Sequence, residues 1–207
     1  TDGELTGVFH PTVWTRHPDE AWTARKALRR FLEHELEHTR QVRQVLDARR
    51  AALLAELDAA RDALLSAAAL IPAGERSACL VCGDWTLHDV LAHIVAWEIF
   101  GVDGLRDMAA GRPPDVEAID SLDVWNATEV EARREQPWQA LWQDLADTRR
   151  DLRTVLTAMD PAGLWRTFPF PWGGEGTPYD WLSVYINHDR EHAQQVASSK
   201  QRATSSK

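Results

Sequence analysis

His188 and His192 stand four residues apart in NHDREHAQQV (Asn187–Val196), a spacing that projects both imidazoles from one side of a helix. The apolar stripe of that helix reads Trp181, Val184, Tyr185, His188, His192, Val196, so the two rings continue a core-facing surface. Burying two neutral imidazoles without partners costs on the order of a few kcal/mol. A metal ion removes that cost, because ring lone pairs converge on it while the other ring nitrogens donate to nearby acceptors. A third ligand has to come from a neighbouring helix, and His93 is the best candidate. It sits in TLHDVLAHIVAWE (Thr86–Glu98), at the edge of a stripe formed by Leu87, Val90, Leu91, Ile94 and Val95. Three imidazoles with open coordination positions suit zinc, nickel or iron and leave room for water or a substrate. Asp89, Glu191 and Tyr185 are the candidate catalytic or proton-transfer groups beside them, and Trp97 a candidate pocket wall. The plain alternative is that a histidine at a stripe edge is a satisfied core residue and that the i, i+4 pair arose by chance.

A second histidine pair, His34 and His38, lies in an internal repeat. Trp22–Val42 matches Gly176–Val196 at a constant offset of 154, with seven of 21 positions identical: Thr23/Thr177, Leu28/Leu182, His34/His188, Glu37/Glu191, His38/His192, Gln41/Gln195 and Val42/Val196. Phe31/Tyr185, Leu32/Ile186 and Glu35/Asp189 are conservative pairs. His34–His38 also satisfies H-E-x-x-H, the zinc-protease pattern with Glu as general base. The repeat argues against that reading, because Glu35 corresponds to an aspartate in the sister copy, as a merely polar position would. No helix equivalent to Thr86–Glu98 precedes the first copy, so His34 and His38 read as a possible half-site. Cys79-Leu80-Val81-Cys82 is an isolated CxxC without a second pair or a βαβ setting, and reads as two ordinary thiols.

The elements that must position these groups are helical. Proline and glycine cluster between long segments of 3.6-residue period, and nothing alternates long enough for a confident strand. The pattern predicts helices at about 19–47, 49–71 and 86–110, a fourth at 122–159 broken near Pro137, and a last at 177–197. Thr86–Asp89 and Thr177–Asp180 both form capping boxes, and His88 reads as an exposed first-turn residue. The last four suffice for an all-α four-helix bundle with a long crossover connection, which leaves an extra N-terminal helix. The expected organisation is 1–47 as a partial repeat, 48–198 as a complete bundle, and 199–207 as a disordered polar tail. The 21 residues before the repeat are too few for the rest of a bundle, so the extra helix reads as part of a longer tandem protein or as an accessory.

Composition narrows the partners. The chain of 207 residues is 44% hydrophobic and 27% charged, which excludes wholesale disorder. A net charge of −9 argues against a nucleic-acid binder, and no apolar run is long enough for a membrane span. The opening TDGELTGVFH has no basic-then-apolar leader pattern, so a cytoplasmic protein is expected. Ten tryptophans against five phenylalanines and two tyrosines supply large rigid anchors for the core or a pocket.

GDWTLHDVLAHIVAWE (Gly83–Glu98) resembles the second-helix signature of the DinB-like superfamily, and NHDREHAQQV its last-helix histidine pair. The resemblance covers about 49–197. It implies a four-helix bundle with a long crossover and a divalent metal site, carried over to His93, His188 and His192. It also implies metal-dependent chemistry on a small electrophile: S-transfer or isomerisation with a low-molecular-weight thiol, or hydrolysis. The expected function is therefore activation of a thiol or water by the metal. A binding or assembly module with a structural or vestigial metal is the alternative. For either, a homodimer is the expected assembly.

Overall fold

The computed structural model describes residues 3–13, 15–17 and 19–205, with side chains through residue 199. The chain divides into two compact units, Thr1–Asp47 and Ala48–Lys207. In the first, β1 (Val8–Phe9) pairs antiparallel with β2 (Trp22–Thr23), and α1 follows from Ala24. α1 continues unbroken to Ala69, where the hydrophobic period predicts two helices. The reason is local: Asp47-Ala48-Arg49 holds no proline or glycine, and the residues on both sides are good helix formers, so nothing stops the ladder.

The second unit is built on the last part of α1 with α2 (Leu87–Ala109), α4 (Trp138–Ala158) and α5 (Pro178–Ser205). The crossover from α2 to α4 carries the short α3 (Leu122–Ala132), and Pro137 caps α4 where the sequence predicts the break. Two short antiparallel pairs, β3 (Leu80–Cys82) with β4 (Trp85–Thr86) and β5 (Phe168–Pro169) with β6 (Glu175–Gly176), brace the starts of α2 and α5. The architecture is all-α, with strands too short to leave a period of two. α5 runs to Ser205, past the Ala197 at which its stripe ends, so residues 199–205 are helical where a disordered tail is expected. No described helix is long and apolar enough to cross a membrane.

Both predicted capping boxes form. Thr86 Oγ1 accepts from the Asp89 amide while Asp89 Oδ2 accepts from the Thr86 amide, which starts α2 one turn before His93. Thr177 and Asp180 repeat this at α5. The core falls into two clusters. One gathers Leu57, Leu105, Leu152, Trp181 and Tyr185; the other gathers Leu64, Leu91, Ile94, Leu141 and Val196.

Four buried charges also join the helices. Arg61 on α1 donates to Asp189 on α5 at 3.0 Å and pairs with Glu98 on α2 at 2.9 Å. Arg149 on α4 donates to Glu98 at 2.9 Å and to Asp189 at 2.7 Å. Thr148 and the carbonyls of Leu57 and Leu145 take up further valences. The four are almost fully inaccessible, which is tolerated only because each charge is paired and hydrogen-bonded. This corrects the reading of Asp189 as a merely polar position. It is a structural anion.

Candidate metal centre

α2 and α5 bring the three histidines together. His93 Nε2 lies 2.9 Å from His188 Nε2, and His192 Nε2 lies 3.0 Å from the same atom. They form a candidate metal-holding group among the described residues, with all three ligand atoms within 4.8 Å of one another. His93 and His192 are buried and His188 nearly so. The α2 stripe delivers His93, because Leu87, Val90, Leu91, Ile94 and Val95 are all fully buried and fix the rotation of the helix.

The protonation chemistry fits a cation. His192 Nδ1 donates to Gln195 Oε1 at 2.8 Å, which leaves the neutral ring its Nε2 lone pair. Each ring nitrogen carries either one proton or one lone pair, so three Nε2 atoms crowded around His188 cannot all be matched in one-to-one hydrogen bonds. A divalent ion facing three lone pairs resolves the conflict. Burial also keeps the rings neutral. Desolvation, then the neighbouring imidazoles, hold His93 down to about 2. Desolvation first, with His192 and Arg61 behind it, holds His188 down to about 3, and His192 is lowered by burial as well. Neutral imidazole is the ligating form.

Beside the rings opens a cavity of about 350 Å³ lined by His93, Trp97, Leu122, Asn126, Trp172, Val184, Tyr185 and His188. Its wall is an aromatic assembly: Trp97 meets Trp125 at 4.5 Å between centroids, and Trp172 stacks on Trp181 at 4.7 Å. Trp97 Nε1 donates to Asn126 Oδ1 at 2.9 Å, tying the α2 wall to α3. Gly101 makes room for Tyr185, since a Cβ there would sit 2.5 Å from the phenol oxygen. Two buried polar side-chain atoms among the described residues have no hydrogen-bond partner, His93 Nδ1 and Tyr185 Oη. Both belong to this site. Burial and Glu98 push the Tyr185 phenol well above its ordinary value, so it stays a donor at neutral pH.

The remaining candidates sit elsewhere. Asp89 is spent on the α2 cap and lines a separate cleft with Thr86, His88, Gln136 and Trp138. His88 is buried, its Nε2 at 2.9 Å from the Gln136 carbonyl, where the sequence suggests exposure. Glu191 is exposed and makes its hydrogen-bonded link to His192 through Gln195, whose Nε2 donates to it at 3.2 Å. Cys79 and Cys82 are free and half-buried. His34 and His38 are exposed on α1 in the first unit. Sequence reasoning missed Gln195, although its conservation between the repeats as Gln41 marks it, and missed Asn126 and Trp172, which no spacing connects to the histidines.

No curated protein matches the chain significantly. Among solved structures it is similar to a mycothiol-dependent maleylpyruvate isomerase, at 13% identity and a TM-score of 0.62, over 71% of this chain and 60% of that one. It therefore spans less than two thirds of the isomerase. An uncharacterised protein from Escherichia coli UTI89 is similar at 15% identity and a TM-score of 0.63, over 75% of this chain and 94% of that one. At such identities the likeness establishes the fold. The DinB superfamily profile matches residues 46–196, most of the chain and both site helices. The chain belongs to the DinB superfamily.

Proposed function

We propose that the second unit is a metal-dependent enzyme that activates a small thiol or water for attack on a small electrophilic substrate. The observation that carries this is the convergence of three neutral imidazole nitrogens beside an aromatic cavity lined by Tyr185, whose buried hydroxyl has no partner. His93, His188 and His192 would hold zinc, nickel or iron, and the ion, when bound, would supply the Lewis acidity that makes a thiol or water nucleophilic at neutral pH. Gln195, braced by Glu191, fixes the His192 tautomer and is a positioning residue. Tyr185 lines the cavity and keeps a protonated hydroxyl buried beside Gly101 without a partner, so it would donate to an oxygen of a substrate that reaches it as charge develops. Trp97 and Trp172 would exclude water and favour a flat or apolar substrate portion. A thiol co-substrate is supported by the fold shared with the mycothiol-dependent isomerase.

The test is turnover by the metal-loaded full chain, offered a low-molecular-weight thiol with an electrophile, and activated esters or amides with water alone. The reading expects one arm to be active, His188→Ala to lose metal and activity together, and Tyr185→Phe to keep metal while losing roughly 10²-fold in turnover. Tight metal binding with inactivity in every arm, together with a lower Tm on metal removal, would replace it by the structural-metal reading.

A further inference from the structure

We infer that His34 and His38 form a second divalent-metal site, a duplicate of the His188–His192 half-centre. The inference rests on the internal repeat and stands whether or not the second unit is an enzyme.

The duplication extends from sequence into geometry. His34 Nε2 and His38 Nε2 are 3.1 Å apart, against 3.0 Å for His188 and His192. Their rings meet edge to face with centroids 4.3 Å apart, against 4.5 Å in the other pair. His38 Nδ1 donates to Gln41 Oε1 at 3.0 Å, as His192 Nδ1 does to Gln195 Oε1 at 2.8 Å. A neutral His38 thus keeps its Nε2 lone pair directed at His34, with its tautomer set by the equivalent amide. Two imidazoles that merely happened to be one turn apart would not bring the orienting glutamine with them.

The surroundings correspond as well. The His34 side of α1 borders a cavity of about 480 Å³ lined by Trp22, Ala27, Arg30, Phe31, His34 and Glu35. Shifted by 154, Arg30, Phe31 and His34 become Val184, Tyr185 and His188, three of the residues that line the cavity beside the first centre. One helix face has been kept in both copies, together with a recess lined by the first histidine of each pair. The difference is the third nitrogen, since among the described residues no counterpart of His93 stands near His34. The duplicate therefore holds an ion by two protein nitrogens, leaving the other positions to solvent or an added donor. That ligand set selects zinc, nickel, cobalt or copper over magnesium or calcium.

The experiment is a titration of the full metal-free chain with Zn²⁺ against a chromophoric chelator. Wild type should take up two equivalents with separable affinities, and His34→Ala/His38→Ala should lose the weaker equivalent alone. His188→Ala/His192→Ala should lose the tighter one and keep the weaker. Gln41→Ala should weaken the second equivalent at least about tenfold, an effect unoriented surface rings would not show. Equal zinc content in wild type and His34→Ala/His38→Ala overturns the inference, as does a second equivalent indifferent to Gln41→Ala. Because each pair is removed separately, failure here and failure of the first centre give different stoichiometries.

Discussion

One helical pattern occurs twice in this chain and meets two environments. Leu182, Ile186 and Val196 are 0–2% exposed, whereas their counterparts Leu28, Leu32 and Val42 are 56–67% exposed. Both copies are helices, and both hold their histidine pair and orienting glutamine in the same local arrangement. The ring-to-ring and ring-to-amide contacts are therefore properties of the helix, set by i, i+3 and i, i+4 spacing. Burial and the approach of a third histidine, His93, are properties of the bundle.

The largest predicted contrast is at the paired acids. Asp189→Ala should destabilise the chain by about 3–5 kcal/mol, because Arg61 and Arg149 would stay buried with one anion between them. Glu35→Ala, on an exposed face, should stay within about 0.5 kcal/mol. Chemical denaturation of the two variants checks this, and equal losses would break the contrast. Next comes the apolar pair. Ile186→Ala should cost about 2–5 kcal/mol from lost burial and the cavity left behind, and Leu32→Ala again under about 0.5 kcal/mol.

Acid sharpens the buried side. His93 and His188 are held neutral in the fold, at about 2 and about 3, against an ordinary 6.5. The unfolded chain then binds more protons than the folded one as pH drops, so stability is full above 6.5 and declines from there towards 3. At pH 5.5 each ring should cost the metal-free protein about 1 kcal/mol relative to pH 7.5. The Tm of chelator-treated protein across that interval measures it, and saturating zinc should raise Tm at both pH values while leaving the loss between them about the same, since the folded rings are already unprotonated there.

The contrast also explains what could be read from residues alone. His93, His188 and His192 were legible because they interrupt apolar stripes whose rotation is set by Leu87–Val95 and Trp181–Val196. The α2 and α5 starts were legible because a capping box is a local signal. The Arg61–Glu98–Arg149–Asp189 cluster was not, since its members lie 128 residues apart at the extremes and each looks like an ordinary charged position in its own helix. Trp172 and Asn126 escaped for the same reason: they reach the site from a loop and from the crossover helix, where no period predicts direction. The single length of α1 was missed because the apolar face is lost before Asp47 while the helix continues on backbone propensity.

The smallest effect isolates the helix starts. Thr177 and Asp180 make a reciprocal box, each covering the other's amide. In the first copy Thr23 Oγ1 accepts from the Lys26 amide at 3.1 Å, but Lys26 replaces the aspartate and returns nothing to the Thr23 amide. Lys26 pairs with Glu20 instead, whose carboxylate also accepts from Trp22 Nε1. Thr177→Ala should therefore lower stability by about 1 kcal/mol, because the start of α5 is coupled to the packed bundle. Thr23→Ala removes half as much capping from a turn whose downstream apolar face is largely exposed. Its effect should appear as faster amide exchange over residues 24–28 with an unchanged global Tm. A global loss from Thr23→Ala as large as that from Thr177→Ala would mean that the first copy is packed in solution as firmly as the second.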